Sequence, residues 1–174
     1  MPIIPKPSAE EAAPYYFTYI SLTGPDALAT LEAQAAGTQR LIAATSEERG
    51  AHRYAEGKWS VKEVLGHLSD AERIFAYRAL RFARADETAL PGFEENHYVP
   101  MAGSDARTLA DLAAELAAVR AASLALFRSF DEAALLRIGT ASGYPMSVRA
   151  AAHVVAGHEA HHVAILRERY GLKD

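Results

Sequence analysis

The spacing of apolar residues is the feature that most constrains the fold of this chain. They recur every three or four positions along most of the sequence, which is typical of amphipathic helices. Alanine, the strongest helix former, is used throughout, while aromatic and β-branched residues are too scattered for the alternating pattern of strands. The periodicity therefore predicts an all-α protein.

Local start and stop signals divide this pattern into four long helices. Pro25 stands near the first position of one helix, and Ser60 with Glu63 forms a capping box at the start of another. The predicted helices span about residues 26–44, 60–84, 108–130 and 147–170, and residues 86–107 and 139–145 are predicted loops. This pattern favours an antiparallel four-helix bundle, with residues 1–174 as a single domain. The aromatic segment 15–24 is expected to pack against one end of the bundle.

Composition excludes several classes of protein. Half of the residues are hydrophobic, yet no run of about 18 apolar residues occurs, so neither disorder nor a membrane span is expected. The net charge of -4 and the lack of a basic stripe argue against nucleic acid as a partner. Because the chain has no cysteine and no evident secretory signal, we expect a cytoplasmic protein without disulfides.

Two histidines lie in the middle of the apolar stripe of the last predicted helix. In the segment HVVAGHEAHH, the side chains of His158 and His162 project within about 40° of each other. Their Cβ atoms are then about 5–6 Å apart, so both rings can reach one ion at about 2.0–2.1 Å. The pair favours a metal site, and the alternative is two core histidines that are satisfied by hydrogen bonds.

A metal site needs a third ligand, since zinc-like ions take at least three protein donors. His67, in the segment WSVKEVLGHLSDAER, is the strongest donor outside the last helix. It lies at the border of the apolar face of its helix, and Glu63 and Asp70 on its other flank are placed to orient the ring. His67 is therefore the predicted third ligand, although taken alone it would be an ordinary boundary residue.

The remaining histidines give weaker signals. His161 is predicted to lie at the rim of the site or to support a ligand, whereas His153 points about 140° away from the pair and is predicted to be on the surface. His52 and His97 fall in predicted loops, where solvated side chains are expected.

The segment from His158 to His162 also spells H-E-x-x-H, the zinc-protease motif in which the glutamate is the general base. The context does not fit a protease, because only twelve residues follow His162 and no strand is available to bind a peptide. The motif still makes Glu159 the candidate catalytic base. The alternative is a glutamate that is solvated or paired in an interhelical salt bridge.

Taken together, the segments KWSVKEVLGHLSDAERIFAYRALRFARAD, LPGFEENHYV, AAVRAASLALF and AGHEAHHVAILRERY resemble the DinB-like (YfiT-like) proteins, a family of proposed metal-dependent hydrolases. The resemblance covers nearly the whole chain. It implies a four-helix bundle with up-down-down-up connectivity, often dimeric. It also implies a metal ion (zinc, nickel or iron) held by three histidines, which here match His67, His158 and His162.

The resemblance extends to possible chemistry, since better-known relatives use low-molecular-weight thiols in transfer or isomerisation reactions. Arg78 matches a commonly seen position of the second helix. It lies on the same face as His67, three turns on, where it is a candidate to bind an anionic substrate. A structural salt bridge is the alternative for Arg78.

Two functions remain open from the sequence. In the first, three neutral ligands leave a coordination position free, and the protein is a metal-dependent hydrolase or thiol-dependent transferase that acts on a small molecule. In the second, the metal only holds the second and fourth helices together or reports stress, without catalysis. A homodimer is expected by resemblance alone.

Overall fold

The long helices begin at polar capping residues, and the helix that was predicted to have Pro25 near its first position begins at Ala27, with Asp26 as its cap. The computed structural model describes residues 3–173. In it, each long helix is preceded by a residue whose side chain accepts a hydrogen bond from the first helical turn: Asp26, Ser60, Thr108 and Ser147. The helices are α1 (Phe17–Ile20), α2 (Ala27–Ala43), α3 (Glu47–Gly50), α4 (Val61–Ala83), α5 (Glu95–Ala102), α6 (Leu109–Arg128), α7 (Glu132–Leu135) and α8 (Val148–Glu168). The capping box of Ser60 and Glu63 is confirmed.

The four long helices form a bundle with the predicted up-down-down-up connectivity. Glu47, just after α2, pairs with Lys62 in α4 at 2.7 Å and accepts a hydrogen bond from the amide of Leu109 in α6 at 2.8 Å. The end of α2 therefore meets the starts of both α4 and α6. Tyr170, just after α8, donates to the Trp59 carbonyl at 2.6 Å, so α8 also ends there. Consequently α4 packs antiparallel to α8, and α2 packs antiparallel to α6.

The apolar core consists of two clusters along the bundle, with polar side chains between them. On α4, Leu68 belongs to one cluster and Phe75 to the other; on α8, the corresponding residues are Leu166 and Val155. On α8, His158, Glu159 and His162 lie between those apolar positions, and on α4 the buried Glu72 does. His67 directly precedes Leu68, so the candidate site lies beside the cluster of Leu68 and Leu166, where α4 contacts α8.

The connection before α8 contains a β-hairpin where the sequence predicted a loop. Strand β1 (Ile138–Ala141) pairs antiparallel with β2 (Tyr144–Ser147). Ser142 and Gly143 form the turn with φ of 54° and 81°, the positive values that a two-residue type I′ hairpin requires. Strands of four residues are too short to show a clear alternation in the sequence.

The crossover from α4 to α6 was also predicted as a loop, but it contains the short helix α5. Pro100 lies inside α5, and this proline concealed the helix in the sequence pattern. Before α5, the Leu90 amide donates to the Thr140 carbonyl at 2.9 Å and the Ser142 amide donates to the Leu90 carbonyl at 3.0 Å. The crossover is thereby held against the hairpin.

The segment before α2 packs along the side of α8 rather than only at a bundle end. Its contacts run from Glu11, which pairs with Arg149, to Tyr19, whose ring meets that of His161 at 5.4 Å. The close approach depends on Gly157, because a Cβ atom there would lie 2.1 Å from the Tyr19 carbonyl oxygen. Among residues 3–173, no helix combines the length and apolarity that crossing a membrane requires.

Candidate metal centre

Helices α4 and α8 bring the three predicted histidines together. One ligand atom from each of His67, His158 and His162 lies within 4.8 Å of the others, and the Nε2 atoms of His67 and His158 are 3.0 Å apart. His67 and His158 are buried, while His162 is partly exposed. The spacing on α8 and the position of His67 on α4 thus converge on one point.

Burial keeps these imidazoles neutral near pH 7. It lowers the pKa of His67 to about 4. Burial, reinforced by the neighbouring histidines, lowers the pKa of His162 to about 3 and that of His158 well below its ordinary value. A neutral imidazole has a free ring lone pair, which is the form that binds a metal ion.

The donor set fits a divalent transition metal. Two nitrogens bound to one tetrahedral ion at about 2.0–2.1 Å would be about 3.3 Å apart, close to the 3.0 Å between His67 and His158. Imidazole donors suit zinc, nickel and iron alike. Because the described residues supply three ligands, the site resembles catalytic zinc sites, which keep one position open, more than structural sites with four protein ligands.

The three histidines line a cavity of about 380 Å³ that opens to solvent. Its walls are largely aromatic and include Tyr16, Tyr19, Trp59, Phe75 and Phe93, and its polar lining includes Glu95, His161 and Ser142. A cavity of this volume that combines aromatic walls with polar groups is typical of a small-molecule site.

Two of these aromatic rings hold the histidines in place. Trp59, just before α4, lies with its ring centroid 4.9 Å from that of His67 and 6.4 Å from that of His162, stacked on the latter. Tyr19 of α1 packs edge-on against His158 at 5.4 Å. The imidazoles are therefore fixed from both sides before any ion binds.

The DinB superfamily model matches residues 7–166, which is most of the chain. The chain belongs to the DinB superfamily. The family predicted from the sequence is thus confirmed, whereas a search of the curated proteins finds no match.

Two solved structures share the fold of this DinB protein. YfiT from Bacillus subtilis, a probable metal-dependent hydrolase with an unusual four-helix bundle topology, is 18% identical, with a TM-score of 0.74 over 97% of this chain and 94% of YfiT. The mycothiol-dependent maleylpyruvate isomerase is 15% identical, with a TM-score of 0.63 over 79% of this chain and 58% of the isomerase. At such identities the likeness concerns the fold alone.

Glu159 takes part in an interhelical ion pair. Its carboxylate accepts hydrogen bonds from Arg120 of α6 and from the Thr38 hydroxyl of α2, and Arg120 also binds Glu72 of α4. Glu159 is not part of the three-histidine group found among the described residues. The salt-bridge alternative is the arrangement observed; a role as general base stays a prediction and requires this ion pair to open.

Arg78 is buried behind the wall of the cavity, and within residues 3–173 it does not form the salt bridge that was the alternative to anion binding. Its Nη2 atom donates to the Pro91 carbonyl at 2.9 Å and to the Ser142 hydroxyl at 3.1 Å. Its guanidinium carbon lies 5.0 Å from the centroid of the Phe75 ring. No carboxylate within residues 3–173 forms an ion pair with it. The sequence could not show this, because Pro91 and Ser142 are distant from Arg78 along the chain.

The prediction that His153 is on the surface is wrong. His153 is fully buried, and its ring bonds to the Thr23 hydroxyl at 2.8 Å and to the Ile4 carbonyl at 3.0 Å. The segment before α2 covers this face of α8, which a helical projection of the last helix alone does not reveal. His161 lies at the rim of the cavity, as predicted, and His97 is exposed on α5 rather than in a loop.

Sequence analysis missed several residues of the cavity, among them Tyr19 and Ser142. The aromatic segment around Tyr19 was a usable signal, since its packing against the bundle was expected. For Ser142 the sequence contained no such signal, apart from the Ser-Gly pair that is typical of a turn.

Proposed function

We propose that this DinB-superfamily protein is a metal-dependent enzyme in which His67, His158 and His162 hold one divalent transition metal ion, either zinc, nickel or iron. The observation that carries the proposal is that three neutral imidazoles converge within 4.8 Å in the wall of an open cavity of about 380 Å³. An ion that served only to hold α4 and α8 together would need no cavity beside it.

The bound ion would supply Lewis acidity, which lowers the pKa of a water or thiol ligand and provides a nucleophile at neutral pH. The residues of the chain do the rest. Trp59 and Tyr19 hold the imidazoles in position, and the aromatic walls bind the apolar part of a small substrate while limiting the access of water.

Hydrolysis and thiol-dependent transfer both suit this site. The chain has no cysteine, so in the second reaction the thiol must arrive as a low-molecular-weight cosubstrate. The shared fold supports both versions, because one structural neighbour is described as a probable metal-dependent hydrolase and the other depends on mycothiol. The homodimer and the cytoplasmic location stay predictions from the sequence.

Metal content tests the site itself. Wild-type protein expressed with ample zinc, nickel and iron should contain about one transition metal ion per chain by elemental analysis. His158→Ala should lose nearly all of it, whereas His161→Ala, a neighbouring histidine on the same helix, should keep it. Folded wild-type protein without metal would contradict the proposal.

Access to the ion separates an enzyme from a purely structural metal protein. Cobalt-substituted protein titrated with 2-mercaptoethanol should develop a thiolate-to-cobalt charge-transfer band if a coordination position is open. A spectrum unchanged at saturating thiol would show a closed coordination sphere and favour the non-catalytic alternative.

A further inference from the structure

Arg78 is a buried cation that contacts two aromatic rings but forms no ion pair within the described residues. The residue is 2% exposed, and its hydrogen bonds to other described residues, Pro91 and Ser142, go to uncharged oxygen atoms. The Nη1 atom is buried and has no hydrogen-bond partner within residues 3–173. Burial of a charge without an ion-pair partner is costly, and a buried polar atom without a hydrogen-bond partner calls for an explanation such as a bound ion or a functional role.

The charge of Arg78 lies directly behind the wall of the histidine cavity. Its guanidinium carbon is 5.0 Å from the centroid of the Phe75 ring and 6.0 Å from that of Phe93, and both rings line the cavity. Ser142, which accepts the Arg78 hydrogen bond, lines it as well. Arg78 is therefore separated from the cavity by a single layer of side chains.

Ser142 connects this charge to the cavity. Because its oxygen accepts a hydrogen bond from Arg78, its own proton is free to donate to a bound ligand. The type I′ turn of the hairpin fixes Ser142 at a φ of 54°, and this turn places the side chain in the cavity wall. The result is a hydroxyl donor backed by a positive charge.

Building on the metal site proposed above, we propose that Ser142 and Arg78 form a carboxylate-binding subsite of the cavity, so that the substrate is a small molecule bearing a carboxylate. One positive charge and one free hydroxyl match a monoanion better than a phosphate dianion, which needs more donors. Glu95 is the acidic residue of the cavity wall, and it forms no ion pair with Arg78 among the described residues.

The test uses the fluorescence of Trp59, the single tryptophan of the chain and a residue of the cavity wall. Full-length protein treated with a chelator is titrated with benzoate, with its neutral analogue benzamide and with phenyl phosphate. The chelator removes any route by which benzoate binds through a metal ion. Wild-type protein should bind benzoate about tenfold more tightly than benzamide, and more tightly than phenyl phosphate.

Two variants test whether Ser142 and Arg78 cause the preference for benzoate over benzamide. Ser142→Gly, which suits the positive φ, and Arg78→Gln should each bring benzoate within about twofold of benzamide. Arg81→Gln, which removes an arginine of α4 paired with Asp86, should leave the preference unchanged. Because benzamide reports any change in cavity shape, the benzoate-to-benzamide ratio isolates the charge effect.

The subsite is disproved if wild-type protein binds benzoate and benzamide equally, if it prefers phenyl phosphate, or if the preference survives Ser142→Gly. That variant alone decides the outcome should Arg78→Gln not fold. Since the titration is done without metal, its result is independent of the metal analysis, and failure of one proposal can be told from failure of the other.

Discussion

At the scale of single residues, a buried cluster of one arginine and two glutamates lies beside His158. Arg120 binds Glu72 with two nitrogen atoms, at 2.9 and 2.8 Å, and also pairs with Glu159. All three side chains are 4% exposed. Burial lowers the pKa of Arg120, but the two carboxylates outweigh it and raise the pKa well above the ordinary value. The cation is therefore what makes two buried carboxylates tolerable.

We expect Arg120→Met to lower the free energy of unfolding by about 3–5 kcal/mol, because it leaves two buried carboxylates without a counter-charge. Glu159→Gln should cost only about 1 kcal/mol, since Arg120 stays paired with Glu72. Urea denaturation of both variants measures the difference. Equal losses would show that the cluster does not depend on the arginine.

The site residues differ in how far the sequence could predict them. His158 and His162 followed from helical geometry, because both lie on one helix whose core face was visible in the pattern. The environments of His153, Arg78 and Ser142 were not predictable in this way. Each depends on a contact with a segment distant in sequence, and neither the period of a helix nor a cap encodes that contact.

At the scale of elements, the contact of α1 with α8 shapes the cavity. Gly157 lets the backbone of Tyr19 approach α8, and the Tyr19 ring then covers His158. The sequence predicted neither α1 nor this close approach. A glycine inside a helical pattern indicates only a lower helix propensity, not a contact with another segment. The long helices, by contrast, follow their caps closely.

Gly157→Ala should destabilise the protein by about 2–3 kcal/mol, because the new Cβ would meet the Tyr19 carbonyl oxygen at 2.1 Å and α1 would have to move. Gly37→Ala in α2 is the matched control: its Cβ would have only an arginine nitrogen at 3.9 Å nearby. It should stabilise by about 0.5–1 kcal/mol through helix propensity. Thermal unfolding followed by circular dichroism measures both, and a stabilised Gly157→Ala would refute the packing argument.

A second tie between the amino-terminal segment and α8 is the pair of Glu11 with Arg149. Burial raises the pKa of Glu11, but the hydrogen bonds from Arg149 and the Ser8 amide outweigh it and lower the pKa to about 2. Since this is below the unfolded value of about 4.3, the pair stabilises fully above that pH and is lost as the pH falls towards 2.

Glu11→Gln should therefore lower the free energy of unfolding by about 1 kcal/mol at pH 7 and by progressively less from pH 4 downward. Parallel urea denaturation of wild type and variant at pH 7, 4 and 3 checks this. A difference that did not shrink in acid would show that the pair is not the source of the effect.

At the scale of the whole molecule, the candidate metal centre has ligands from both α4 and α8, the two helices that pack against each other. An ion that binds only the folded chain stabilises it, by about 2.7 kcal/mol at a free concentration of 100 times Kd. For a chain of this size, that corresponds to a rise in Tm of about 5–10 °C.

Chelation should accordingly lower the Tm of metal-loaded wild-type protein by about that amount, and re-addition of metal should restore it. His158→Ala should show no such response to chelator. Differential scanning calorimetry provides the measurement, and a Tm that chelation leaves unchanged in protein of known metal content would contradict a site linking the two helices.

The sequence by itself determined the four long helices, their caps and the three histidines, because these depend on the period of a helix and on hydrogen bonds within a few residues. Only the tertiary structure decided what surrounds them. The cover that Tyr19 forms over His158, the hairpin that carries Ser142 to Arg78 and the ion cluster of Arg120 each join segments far apart in the chain. Those contacts form only when the whole bundle packs, and a local sequence pattern carries no information about them.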